Sequence, residues 1–243
     1  DLGHRVLVVV GIATLFTAVT LPNYRFVSFF AREHHDLQFS ISPIYPLVSL
    51  ARLVRKNIRS DQAFRIVDAD ATQHKTEKRR TIGIMVVGET ARADHFSLDG
   101  YSRETNPLLS KTPNLQFAHA HSCGTSTLFS VPCMFSIKDR KHYDVDEAAF
   151  ESNVLDILSA AGVSPVWVEN NSSCKGVCAR IESINLRENV DAMSPLYSDM
   201  GYYDEALIPQ VDDYLGATGP DTLIVLHMLG SHGPAYSRRY PKA

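Results

Sequence analysis

Neither sign of charge dominates this chain. Its 243 residues carry 24 Lys plus Arg against 27 Asp plus Glu, a formal net charge of −3. A nucleic-acid binder shows a basic excess, so the balance argues against that class. There is no internal repeat and no low-complexity tract, and the length suits one sizeable globular domain. Cysteine is scarce. The four residues form two tight pairs, Cys123 with Cys133 and Cys174 with Cys178. Local pairs in a chain with a membrane-length run fit disulfides in an oxidising compartment. A thiolate zinc site is the alternative, although Cys-x3-Cys with a distant Cys-x9-Cys matches ribbon and finger spacings poorly. The first residue is Asp rather than Met, as expected of a processed chain or a piece of a longer one.

Val6 to Leu21 is an uncharged run of sixteen residues with Arg5 before it and Arg25 after. With its flanks it reaches the short limit of a membrane span, and Pro22-Asn23 ends it. A signal-peptide core and a buried core helix are the other readings. From Arg25 to Arg59, aromatics (Phe26, Phe29, Phe30, Tyr45) mix with Arg52, Arg55, Lys56 and Arg59. That mixture suits a helix lying in the interface, or a connector packed on a soluble domain. Asp61 to Arg80 is polar and reads as an exposed linker.

Thr81 to Val87 is a continuous apolar run, as in a strand buried on both faces of a parallel sheet. Gly88 ends it and delivers Glu89 at the carboxyl end, where open α/β sheets place ligands. Glu89 is then either a metal ligand or an acidic residue at the start of a helix. Gly124 to Thr127 is small and hydroxyl-rich and leads into a helix. A hydroxyl there meets unpaired amides and the positive end of the dipole, which also hold phosphate. The plain reading is a set of cap residues. Asp94 to Lys111 is rich in turns. His119 and His121 share one face of an extended segment and could chelate a metal, or be ordinary surface histidines. Val154 to Leu158 has helical periodicity, ending near Gly162. Pro165 to Val168 and Thr222 to Leu226 read as further strands, the second followed by His227, Ser231 and His232. Strands alternating with helices imply an α/β fold with helices on both faces.

Three stretches carry a resemblance: VVGETARADHFSLDGY (86–101), SCGTSTLFSVPCMFS (122–136) and GSHGPAY (230–236), with Asn-Asn-x-x-Cys-Lys-Gly between the last two. In that order they resemble the lipid phosphoethanolamine transferases of Gram-negative bacteria, which include the mobile colistin-resistance enzymes. The resemblance implies an alkaline-phosphatase-like α/β/α sandwich, truncated at its C-terminal side and preceded by one transmembrane helix, the last of a membrane domain. The implied division is 1–24 as that helix, 25–80 as an interfacial and linker segment, and 81–243 as the N-terminal part of a periplasmic catalytic domain.

The same resemblance implies zinc as cofactor, held by Glu89 and Thr127. Thr127, rather than Thr125, is the implied nucleophile, because the family places it four residues after the first Cys of the motif. A threonine hydroxyl is a poor nucleophile until a metal lowers its pKa. His232 is the implied proton-transfer residue near the metal. Thr125, Asn153, Lys175 and His227 match positions near the substrate. Both cysteine pairs are implied disulfides, each worth about 2–3 kcal/mol by loop closure, and the first clamps the loop of Thr127. The implied reaction moves phosphoethanolamine from phosphatidylethanolamine to lipid A through a threonine-linked intermediate. The implied setting is a monomer in the inner membrane with its catalytic domain in the periplasm. The family also uses an Asp-His pair and a further His downstream of Ala243, so this stretch carries half a metal site. Residues 1–243 alone are therefore expected to bind zinc weakly and to turn over nothing. Rival readings are another enzyme of the superfamily (a sulfatase, a phosphodiesterase or a glycerophosphate transferase) and an inactive membrane-anchored fragment.

Overall fold

The computed structural model describes residues 2–24, 26–27, 46, 49–50, 53–54, 62–75, 79–113, 120–188, 190–233 and 236–241. The chain divides into two units, 1–62 and 63–243. In the first, helix α1 spans Leu2–Thr20. At 1.5 Å per residue its nineteen residues cover about 28 Å, close to the thickness of a bilayer's hydrocarbon core. Its window Gly3–Thr20 has a mean hydropathy of 1.6 and is nowhere buried by the protein. Thr14, Thr17 and Thr20 are the polar residues of this helix beyond Arg5. Each donates its hydroxyl to the carbonyl four residues back, so none presents an unpaired donor. The interfacial-helix reading of 25–59 falls mostly outside the described residues.

The second unit is built on a four-stranded sheet. Its strands are β1 (Ile82–Val87), β2 (Ser164–Glu169), β3 (Glu182–Asn185) and β6 (Thr222–His227), in the order β1-β6-β2-β3. Every neighbouring pair is parallel. A short antiparallel pair, β4 (Tyr197–Ser198) and β5 (Gly201–Tyr202), stands apart. The helices are α2 (Thr127–Met134), α3 (Val145–Ala148), α4 (Val154–Ala160) and α5 (Ile208–Leu215). The sequence expectations for β1, β2, β6 and α4 hold within a residue or two. β3 had no apolar signal: it is a polar edge strand, with Glu182 and Ser183 exposed.

Alternation along the strands builds two cores. Val87, Trp167 and Val225 face α2 and α4, packing with Val131, Phe135 and Leu155. Val166, Val168, Ile224 and Leu226 face α5 and pack on Leu207 and Val211. This is the layering that near-continuous apolar strands demand. β1 is covered on one face only: Ile84 and Val86 on its other face are 50% and 57% exposed.

Residues 63–75 were expected in a linker running to Arg80, but they belong to the sheet unit. They are held by polar contacts, which leave no hydrophobic signature. Arg65 pairs with buried Glu151, and the Val67 amide donates to Ser152 Oγ at 3.2 Å. At the amino ends of the strands, buried Asp221 accepts from Gln73 and Lys75 at 2.6 Å each and from the Thr81 amide at 2.7 Å. Arg80 beside it donates to Thr222 Oγ1 and to the carbonyls of Tyr214, Ala217 and Pro220.

Candidate active site

Val87, His227 and Glu169 are register partners at the carboxyl ends of β1, β6 and β2. The chain leaves all three strands at one level, so the residues that follow converge: Glu89, the loop 228–232, and Asn170-Asn171. α2 brings the fourth component. Ser126 is its N-cap by position, extended at φ −125°, and Thr127 is its first residue. Ser126 makes no side-chain cap bond; its carbonyl accepts the Phe129 and Ser130 amides.

Thr127 Oγ1 donates to Glu89 Oε2 at 2.9 Å. Asn171 Nδ2 donates to the same oxygen at 3.2 Å and to the Met228 carbonyl at 2.8 Å. Thr90 Oγ1 donates to the other oxygen, Oε1, at 2.5 Å. Glu89 is buried. Burial pushes its carboxyl up, but the three donors and nearby His232 outweigh burial and hold its pKa below the ordinary carboxylate value. Thr90 takes up φ +52°, a left-handed conformation that a β-branched residue avoids. Strain of about 1–3 kcal/mol is held there by the turn that aims Glu89 inward.

His232 lies on an exposed turn after β6. Its Nδ1 donates to the Gly233 carbonyl at 2.7 Å, which leaves Nε2 as the lone-pair nitrogen. Asp204 organises this turn by accepting the Leu229 amide at 2.9 Å, the Gly230 amide at 2.7 Å and Asn170 Nδ2 at 3.1 Å. A Cβ on Gly230 would lie 2.4 Å from Asp204 Oδ2, so glycine is required for this close approach.

Both cysteine pairs are disulfides, Cys123–Cys133 and Cys174–Cys178. The first ties the loop before Thr127 to the far end of α2. Arg140 adds a second tie, bonding to the Cys123 carbonyl and covering the Phe129 ring at 5.1 Å. The second disulfide closes the turn of Lys175.

The remaining sequence candidates fall in different places. Thr125 is exposed beside Thr127. His227 is fully buried, against Trp167 at 5.3 Å between ring centroids and with Nδ1 3.4 Å from Glu169 Oε2. Asn153 caps α4 in a capping box with Asp156 and donates to the Val177 carbonyl at 2.8 Å. Lys175 donates to Ser172 Oγ at 2.6 Å from a backbone at φ +53°. Asn153 and Lys175 both line a 330 Å³ cavity beside α2. His121 is exposed, and His119 lies outside the described residues. Asn171 entered the sequence reading only inside the Asn-Asn-x-x-Cys-Lys-Gly motif, with no role given to it, and Asp204 went unnoticed. Asn171 carried the same signal as Glu89, a polar residue two positions beyond an apolar strand. Asp204 carried none, because only the tertiary fold puts it under Gly230.

Among the described residues no three His, Cys, Asp or Glu side chains gather into a metal cluster. The chemistry of Glu89 and Thr127 still fits zinc: an ionised carboxylate and a hydroxyl share one hydrogen bond and supply two oxygen donors on one side.

The sulfatase family model matches residues 82–243, and the model described as phosphoethanolamine transferase EptA/EptB matches residues 1–58. Phosphatidylethanolamine transferase Mcr-2 of Escherichia coli is 38% identical over 95% of this chain and 45% of its own length. Phosphoethanolamine transferase EptA of Escherichia coli K12 is 38% identical over 98% of this chain and 43% of its own length. The chain thus spans a little under half the length of these relatives. Among solved structures, the integral membrane lipooligosaccharide phosphoethanolamine transferase A of Neisseria meningitidis superposes with a TM-score of 0.74. It is 33% identical over 97% of this chain and 44% of that one. Family models and relatives together cover both the apolar helix and the sheet domain: the chain belongs to the sulfatase family, and the relatives it is similar to are phosphoethanolamine transferases.

Proposed function

We propose that the protein of which this chain is part transfers phosphoethanolamine from phosphatidylethanolamine to lipid A, with Thr127 as the group's transient carrier. The observation that carries the reading is the 2.9 Å contact between Thr127 Oγ1 and buried Glu89 at the first residue of α2. Glu89 holds the hydroxyl proton on one side of Oγ1, which leaves an oxygen lone pair directed at an incoming phosphorus. The amides of the first turn of α2 and its dipole favour the phosphoryl oxygens as charge builds on them. Asn171 fixes the orientation of Glu89 by spanning from its carboxylate to the Met228 carbonyl. His232, with Nε2 free to accept, moves the proton of the leaving or attacking hydroxyl. Zinc held by Glu89 and Thr127 would supply the Lewis acidity that lowers the hydroxyl's pKa. Donor and acceptor are both lipids, which gives α1 its purpose as an inner-membrane anchor beside a periplasmic domain. Two disulfides accord with that oxidising location. Acting on the lipid A phosphates in this way lowers surface anionic charge and so confers colistin resistance.

The test is turnover of phosphatidylethanolamine by the full-length protein, with lipid A profiled by mass spectrometry. Thr127→Ala is expected to abolish transfer with the fold intact, while Thr125→Ala keeps most of it. Near-normal transfer by Thr127→Ala would overturn the assignment.

A further inference from the structure

A second cleft, of 620 Å³, opens beside the candidate site. Asn171 and His232 belong to both. Its wall also carries Arg187, Arg239 and Tyr197, with Leu229 and Met200 as apolar lining. The charges of this wall are not neutralised internally. Asp199 is the acidic residue of the lining, and it is taken by Arg238, outside that lining. Among the described residues neither Arg187 nor Arg239 makes an ion pair, and Arg239 Nε is shut off from solvent with no hydrogen-bond acceptor. A desolvated guanidinium N–H without an acceptor costs free energy, and a bound oxyanion removes that cost. Guanidinium forks match phosphate in a bidentate way. Among the described residues no hydrogen bond or ion pair joins either arginine to Glu89 or Thr127, so neither is used to hold the Glu89–Thr127 pair.

We propose that Arg187 and Arg239 form the subsite for the acceptor, and that they recognise a phosphate monoester carried on an amphiphile. The inference rests on the transferase reading above and names which part of that site takes the second substrate. Asn171 and His232 line the same cleft as the arginines, and Asn171 also bonds Glu89, so an acceptor phosphate held on the arginines is brought into the cleft that adjoins the threonine-linked group. In that step the bond between phosphorus and Thr127 Oγ1 breaks as a bond from phosphorus to the acceptor oxygen forms. Oγ1 takes up the proton that the acceptor loses, and nothing is oxidised or reduced.

The experiment uses the full-length protein with phosphatidylethanolamine as donor and either lipid A or enzymatically dephosphorylated lipid A as acceptor. Diacylglycerol release without acceptor reports the first half-reaction, and acceptor KM reports the subsite. Arg187→Ala and Arg239→Ala are each expected to raise the KM for lipid A at least tenfold and to leave diacylglycerol release unchanged. Arg187→Lys, which keeps the charge and loses the fork, is expected to fall between. Arg187 is exposed, so its variants are read without a folding penalty even where Arg239→Ala is unstable. An unchanged acceptor KM in the Arg187 variants, or an equal loss of both half-reactions, overturns the subsite. If the unaltered protein releases no diacylglycerol, the transferase reading itself fails. The subsite is then judged by direct binding of the two lipids. Equal binding of both, or inorganic phosphate bound as tightly as phosphorylated lipid A, overturns it. Preference for the phosphorylated lipid that Arg187→Ala loses upholds it.

Discussion

One oxygen, Glu89 Oε2, receives both the Thr127 hydroxyl and the Asn171 amide. Removing the amide leaves the carboxylate in place but lets it turn. A hydrogen bond to a charged group contributes about 1.5–3 kcal/mol, so Asn171→Ala is expected to lower turnover by about ten- to a hundredfold. Kinetics on donor lipid check this, with thermal unfolding run beside them to show that the fold persists. Gly230 has a different sensitivity. An added methyl meets Asp204 Oδ2 at 2.4 Å, inside any van der Waals contact, and that oxygen also accepts the Gly230 amide. Gly230→Ala is expected to destabilise by about 1–3 kcal/mol, as overpacking does, and to displace the turn of His232. A urea midpoint equal to that of the unaltered protein would contradict it.

α2 is short, and Pro132 within it lacks the N–H of a regular helix. Its position depends on Val131 and Phe135 in the core and on the tie from Cys133 back to Cys123. Replacing both cysteines of that pair by Ala is expected to cost about 2–3 kcal/mol by loop closure and to lower turnover by loosening Thr127. Peptide mapping of unreduced protein checks both cross-links, and calorimetry reads the cost. The helix that begins at Thr127 was legible because a hydroxyl cluster precedes an apolar run. Its partner helix α4 was legible from periodicity alone. β3 was not, since an edge strand has no need of apolar residues on both faces.

Across the sheet, the candidate site and the polar tie of residues 73–81 occupy opposite ends. The carboxyl ends carry Glu89, Asn171 and His232. The amino ends are joined through Asp221, whose pKa is pushed down to about 2 by Lys75, then by the Thr81 amide and Gln73. A lowered carboxyl contributes stability that is fully present above its unfolded value, 3.8, and lost as pH falls through about 2. Denaturation midpoints are therefore expected to drop between about pH 4 and pH 2, and Asp221→Asn is expected to flatten that part of the profile. An identical acid limb in Asp221→Asn would show that this carboxylate does not tie the strand ends.

By itself the sequence determined β1, β2 and β6, because a strand inside a parallel sheet is rich in apolar residues, and it determined that Glu89 and Thr127 sit at element ends. The same local pattern marked both cysteine pairs. Tertiary structure decided which of those ends meet. The sheet order β1-β6-β2-β3 puts the exits of β1 and β2 on either side of β6, so Asn171 reaches Glu89 across 82 residues of sequence. It also turned His227 inward against Trp167 and Asn153 into a helix cap, two positions that the resemblance had placed near the substrate. Hydrophobic pattern reports burial of an element; the partner of a polar side chain depends on which loops the finished sheet brings together.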